Sequence, residues 1–402
     1  MTLARMASVR IVLTLAASLT LAASTQSSAQ SATKCDLKAK DAAHVAPTCR
    51  RAWMDANLKL NDLTAVGSHN SYKTRIPDAV LALLRAVRPQ SADSLDYAHP
   101  PLVDELNVGA RQLEIDIYYD PQGGRFLNPV MLKAAGLDLE PARKAAFAKP
   151  GFKVMHVPDI DVLSSCPTLI ACLTVIRGWS MAHPDHTPIL LMFNTKTDKS
   201  SQPGGTDALP FTAEAFDALD AEVRQVFPAK ALITPDDVQG DYPTLREAVL
   251  AGHWPTLGQS RGKVLFAMDE GPDRVAAYRG ARKSLEGRVF FINTDEASPA
   301  AAYLTLNDPI KEGDRIRAAV AAGFIVRTRA DADTKEARVN DTGRRAAALA
   351  SGAQYISTDY LWPDARFNNG YEVHLPAGAA ALCNPVRAAA KCAGLPVETL
   401  KP

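Results

Sequence analysis

Between residues 60 and 360 the chain repeats one pattern, a short apolar run rich in β-branched residues followed by a longer segment of helical period. The runs are Leu63–Gly67, Gln112–Tyr118, Lys153–His156, Ile189–Phe193, Lys263–Met268, Val289–Asn293, Phe324–Thr328 and Gln354–Ser357. Each is almost continuously apolar, as strands of a parallel sheet buried on both faces must be. Segments such as 168–183, 214–227 and 314–323 carry the helical period between them. Alternating strands and helices predict an α/β fold with a parallel sheet. Eight repeats favour a closed (β/α)8 barrel of the TIM type over an open doubly wound sheet. No Gly-x-Gly-x-x-Gly turn follows the first run, so a dinucleotide-binding fold is disfavoured.

The ends of the chain read differently. Arg5 and Arg10 precede an uncharged apolar run, Ile11–Ala23, and the small residues Ser27-Ser28-Ala29 follow it. That order is a secretory signal peptide, and the run is too short to cross a bilayer core of roughly 30 Å. The expected organisation is a signal peptide over 1–29, an extension over 30–60 carrying Cys35 and Cys49, a barrel over 61–362 with an insertion at 121–150, and a tail over 363–402 carrying Cys383 and Cys392. The six cysteines fall into three close pairs, 35–49, 166–172 and 383–392. In an oxidising compartment local pairing is the simplest, and without a C-x-x-C a zinc site is disfavoured. The full chain carries 45 Lys+Arg against 44 Asp+Glu. Without Arg5 and Arg10 the balance is 43 against 44. Such neutrality excludes a nucleic-acid binder, which needs a basic face. It also leaves only local, transient contact with a membrane surface. The expected protein is secreted or periplasmic, with no transmembrane segment.

Active sites of (β/α)8 barrels gather at the C-terminal ends of the strands. The first run ends in GSHNSYK, which places His69 and Asn70 there. The second is QLEIDIYYD, where Glu114 and Asp116 are two apart and so share a face. The third ends in VMHVPD, with His156. The fourth ends at Asn194 with Lys196 beyond it, the fifth at Asp269-Glu270, the seventh in RTRAD with Arg327 and Arg329, and the eighth in STDY with Asp359 and Tyr360. Two same-face carboxylates inside a barrel repel each other unless a cation compensates them. Asn70, Glu114 and Asp116 make an oxygen set of the kind Ca2+ takes. The competing reading is a salt bridge to Arg111 or Lys153, although Arg111 is out of phase with both acids.

These segments resemble the catalytic region of phosphatidylinositol-specific phospholipases C, above all the bacterial calcium-dependent branch. GSHNSY, QLEIDIYYD and the His of VMHVPD carry the resemblance, which spans 60–362. It implies that His69 and His156 are the catalytic pair and that Asn70, Glu114 and Asp116 hold Ca2+. The animal enzymes place a further ligand, a Glu, where this chain has Asn194, so the fourth ligand is open between Asn194 and Asp269. Lys196 and Arg329 suit the phosphate, with Arg329 preferred to Arg327 as lying further out. Asp359 suits a ring hydroxyl or a supporting role, and Tyr360 either stacks on the inositol ring or closes the barrel. The implied substrate is phosphatidylinositol, split to diacylglycerol and inositol phosphate through a cyclic phosphate. His44, His99, His183, His186, His253 and His374 are read as surface or structural. The rival readings are a glycerophosphodiesterase or sphingomyelinase-like enzyme on the same barrel, and a non-catalytic binding protein.

Overall fold

The computed structural model describes residues 45–392 and 394–400. Its strands are β1 (Leu63–Ser68), β2 (Gln112–Tyr118), β3 (Lys153–Val154), β4 (Ile189–Thr195), β5 (Leu232–Ile233), β6 (Val264–Met268), β7 (Phe290–Ile292), β8 (Tyr303–Thr305), β9 (Ile325–Arg329), β10 (Tyr355–Thr358), β11 (Ala379–Cys383) and β12 (Glu398–Thr399). Parallel pairing runs through β7, β6, β4, β2, β1, β10, β9 and β8. A single parallel bridge between Asn293 and Tyr303 joins the two ends, so these strands form an eight-membered ring. Thr305 N also donates to Asn293 Oδ1 at 3.0 Å across this seam.

Seven of the eight expected runs lie on the ring. The exception is Lys153–His156. Its strand is only two residues long and pairs antiparallel with the end of β2, through Ile117↔Val154 and Tyr118↔Lys153. The vacant ring position is taken by β8, whose three residues are too short to register as an apolar run in the sequence. His156 therefore stands on a loop folded back over β2 rather than at a strand terminus.

The local reasons for this folding are readable. The face of β2 that carries Leu113, Ile115 and Ile117 is apolar and wholly buried, in one core with Leu169, Leu173 and Ile176 of the helix Leu169–Ala182. Thr168 caps that helix by accepting from Ala171 N. The opposite face of β2 points Gln112, Glu114 and Asp116 into the ring. Gly67 has to be glycine, because a Cβ there would overlap the backbone of Gln112 where β1 and β2 come together. A second apolar cluster, including Val80, Leu84, Phe126, Phe147 and Ile160, forms from the segments that follow β1, β2 and β3. The tail packs into the barrel. Its strand β11 pairs antiparallel with β1, and Trp53, Leu63, Ala381 and Val397 share a third core.

Cys166–Cys172 and Cys383–Cys392 are bonded as expected. Cys49 is also in a disulfide, while its expected partner Cys35 and the whole signal segment lie outside the described residues. No helix among the described residues is long and apolar enough to cross a membrane.

Candidate active site

Residues from several ring strands line one cavity of about 190 Å3. It is bounded by His69, Asn70, Glu114, Asp116, His156, Asn194, Lys196, Asp269, Asn307, Arg327 and Arg329. Every sequence-derived candidate except Glu270, Asp359 and Tyr360 thus faces the same space. A larger cavity, about 520 Å3, lies at the other end of the barrel around Arg111, Trp179 and Glu398. Its histidines face main-chain carbonyls, His183 that of Trp179 and His186 that of Thr187.

Each cavity histidine is anchored at Nδ1 by a carboxylate. His69 Nδ1 lies 2.7 Å from Asp359 Oδ1. Arg329 holds the other oxygen, with Nη2 3.2 Å from Asp359 Oδ2 and Nη1 3.4 Å from His69 Nε2. A guanidinium can only donate, so the Nε2 facing Arg329 is the unprotonated nitrogen. Burial, and then the Arg329 charge, hold the His69 pKa below its ordinary value, against the pull of Glu114 and Asp359. His156 Nδ1 lies 3.0 Å from Asp161 Oδ2. That oxygen is also 3.2 Å from Lys73 Nζ, and both side chains of this ion pair are fully buried. Tyr118 fixes the loop by donating to the His156 carbonyl at 2.9 Å.

The acids are arranged by strand register. Asp116 stands directly opposite Asn194, and Glu114 opposite Met192. Asn194 Nδ2 is therefore 2.8 Å from Glu114 Oε1 and 3.1 Å from Asp116 Oδ1. Their charges are met by cations that the sequence reading assigned elsewhere. Arg327, only 1% exposed, pairs with Glu114, and Lys196 Nζ is 3.3 Å from Asp116 Oδ2. Asp116 raises the Lys196 pKa and outweighs burial, which acts to lower it. The salt-bridge alternative was sound in kind but named the wrong partners. Arg111 pairs with Glu398, and Lys153 with Asp120. Asp269 accepts from Asn293 Nδ2 at 3.2 Å, and burial raises its pKa. Glu270, beside it, turns away to Thr195 and Arg274.

Asn70 sits at φ 51, a left-handed position that asparagine tolerates. Its Nδ2 donates to Tyr97 Oη at 2.8 Å, and its Oδ1 is 3.3 Å from Tyr72 Oη. For two readings left open, the structure matches one of the alternatives. Tyr360 does not reach the cavity. It is 3% exposed and packs against Phe367 and Tyr371, so it closes the barrel wall. His99 and His186, expected as either surface or structural residues, are buried. Sequence reasoning missed Asp161, Lys73, Tyr97 and Glu105. Only Asp161, five residues beyond His156, carried a signal, as an acid within loop reach of that histidine.

The family profile described as "Phosphoinositide phospholipase C, Ca2+-dependent" matches residues 58–385. The chain belongs to the calcium-dependent phosphoinositide phospholipases C. Among solved structures, this phospholipase C is similar to a calcium-dependent phosphoinositol-specific phospholipase C from a Gram-negative Pseudomonas species. Identity is 18%, covering 82% of this chain and 96% of that one, with a TM-score of 0.49. It is also similar to a Ca2+-dependent phosphatidylinositol-specific phospholipase C from Streptomyces antibioticus. There the identity is 18%, the coverage 75% and 95%, and the TM-score 0.47. No curated protein sequence matches. The phospholipase C is thus a phosphodiester-cleaving enzyme of a calcium-dependent family that acts on phosphoinositides. Its cavity fits the ion in kind. The donors are all hard oxygens, from Glu114, Asp116 and Asp269 and from the amides of Asn70 and Asn194. No group of three or more His, Cys, Asp and Glu among the described residues forms a metal cage by itself, so amide oxygens are needed to complete the set.

Proposed function

We propose that this enzyme cleaves phosphatidylinositol to diacylglycerol and inositol phosphate by acid–base catalysis between His69 and His156, through a cyclic phosphate. The observation that carries the reading is the matched pair of anchored histidines on one small polar cavity. With Nδ1 committed to Asp359, His69 presents an unprotonated Nε2 and serves as the base that takes the inositol 2-hydroxyl proton. His156, held through Nδ1 by Asp161, presents its Nε2 as the acid that protonates the departing diacylglycerol oxygen. Both roles suit imidazole, whose ordinary pKa near 6.5 allows transfer in either direction. The pair then works in reverse as water opens the cyclic phosphate. Asn70, Glu114 and Asp116, with Asn194 or Asp269, would hold the calcium ion. When bound, calcium supplies positive charge against the phosphoryl oxygens and acidifies the attacking hydroxyl. Arg329 and Lys196 stand ready to orient the phosphodiester.

The test is turnover of phosphatidylinositol by His69→Ala and His156→Ala, with product identification. Each should lose about 10²–10⁴-fold while keeping its circular dichroism spectrum. Near-normal turnover in either folded variant removes that residue from the mechanism.

We propose further that the enzyme is exported and meets its lipid transiently. The signal-like N-terminus and the disulfides support export. Exposed Leu83, Val87, Leu137, Ile310 and Val339 lie on segments that follow ring strands in the chain. N-terminal sequencing of exported protein should give a start near Ala29, and a mature start at Met1 would refute export by this signal.

A further inference from the structure

His99, expected as either a surface or a structural residue, is buried. Its ring lies beneath the His69–Asn70 turn. Nε2 lies 2.8 Å from the His69 carbonyl oxygen, and Nδ1 lies 3.0 Å from Glu105 Oε1. A carbonyl only accepts, so Nε2 donates to it, while Nδ1 stands at ion-pair distance from the Glu105 carboxylate. When protonated, the ring is an imidazolium with the fully buried Glu105 as its counter-ion. Burial pulls the His99 pKa down, but Glu105, Asp359 and the His69 carbonyl outweigh it and leave it raised.

Glu105 extends the grip. Ser68 Oγ donates to its Oε2 at 2.5 Å, and Ser71 Oγ lies 2.5 Å from Ser68 Oγ. Glu114 N donates to Ser71 Oγ at 2.8 Å. A directional chain thus runs from the β2 main chain, under the turn, to the helix Leu102–Asn107. The segment that carries His99 is sewn to the same turn. His99 N donates to the Lys73 carbonyl at 2.9 Å, Lys73 Nζ to the Tyr97 carbonyl at 2.7 Å, and Asn70 Nδ2 to Tyr97 Oη at 2.8 Å. The turn has a left-handed residue at Asn70, a conformation that persists only where its surroundings hold it.

We propose that His99 is a positioning residue for the reaction. Its ring, paired with Glu105, clamps the His69 carbonyl, which fixes the turn and so aims the His69 ring between Asp359 and Glu114. The proposal rests on His69 being the base. Losing the clamp lowers kcat and leaves KM unchanged, since His99 touches nothing in the cavity.

The experiment compares kcat, KM and melting temperature for phosphatidylinositol in detergent micelles at saturating calcium. The variants are His99→Gln, His99→Leu, the double variant His99→Leu/Glu105→Leu, and His69→Ala as reference. Glutamine still donates to the His69 carbonyl, so it should keep most of the kcat. His99→Leu should lose roughly 10²-fold in kcat, the scale of an ångström-level misplacement. It may not be judged alone, because it strands the buried Glu105 charge. The double variant removes both charges, a change that buried ion pairs tolerate, and should fold yet show the same kcat loss. A folded double variant with parental kcat, or a His99→Gln kcat as low as that of His99→Leu, overturns the clamp. Parental turnover in His69→Ala would instead defeat the underlying assignment of the base.

Discussion

His69 Nδ1 and Asp359 Oδ1 lie 2.7 Å apart although 290 residues separate them in the chain. The pairing of β1 with β10 brings them together, since Ser68 is in register with Thr358 and each is the residue just before. Asp359 is the anionic one of two neighbouring buried acids. Its pKa is depressed, because His69 and Arg329 outweigh its burial, while neighbouring Asp331 is pushed up to about 7 by burial and then by Asp359.

Asp359→Asn should therefore remove the acceptor that selects the His69 tautomer. An amide can donate to Nδ1 and turn the protonated nitrogen toward the cavity. The expected result is a kcat loss of about 10²–10⁴-fold with little change in KM, a range in line with tautomer loss in other histidine-based sites. Steady-state kinetics on the folded variant decides it, and unchanged kcat would mean that Asp359 does not set the tautomer.

Asp161 has a second duty that Asp359 lacks. It neutralises Lys73, and neither side chain is exposed. Asp161→Asn should therefore destabilise the fold by about 3–5 kcal/mol, the cost of stranding one partner of a buried pair, besides lowering turnover through His156. Urea unfolding gives the number. A loss under about 1 kcal/mol would match an exposed pair and contradict the burial.

Calcium removal should abolish turnover, and re-addition should restore it. Binding should also raise the melting temperature by mass action. Asp116→Asn should shift the calcium titration to higher concentration more than it shifts the apo melting temperature. Full activity in excess chelator, with no calcium-dependent melting shift, would show that Lys196 and Arg327 satisfy the acids permanently.

His186 should make the fold acid-sensitive. Its Nδ1 is 2.6 Å from the Thr187 carbonyl and its Nε2 2.8 Å from Ser180 Oγ. Burial above all lowers its pKa to about 4. The unfolded chain, near the ordinary 6.5, binds the proton more tightly than the fold does. The stability is therefore fully present above pH ~6.5 and is lost as pH falls toward about 4. His186→Asn keeps a donor toward Thr187 but cannot titrate, so its melting temperature should fall less across that window. Parallel curves for parent and variant would rule out His186 as the titrating group.

The barrel and most of its mouth were legible because both depend on local pattern. Apolar runs mark strands, period-two spacing puts Glu114 and Asp116 on one face, and polar residues at run ends mark the mouth. Three features were not legible, each for a physical reason. β8 is only three residues long, so it leaves no periodic trace. Lys153–His156 is apolar enough to pass for a ring strand, but strand direction is set by tertiary pairing, not composition. The electrostatic partners depend on register between strands distant in sequence. Nothing local says that Arg327 rather than Arg111 reaches Glu114, or that His99 lies beneath His69.

The seam between β7 and β8 is one weak joint of this closed ring, the β1–β2 joint with its one paired position, Gly67 with Gln112, being another. Every other neighbouring pair on the ring has strand pairing, whereas these two meet through the single Asn293–Tyr303 bridge and the Asn293 side chain. A cylinder joined this way behaves like a cuff fastened by one button. The amide at 305, held across the seam only by the Asn293 side chain, should be among the first of the ring to exchange with deuterium. The chain around 294–299 is the natural place to cut and rejoin the protein, because new termini there would leave the long run of pairing from β7 round to β8 intact.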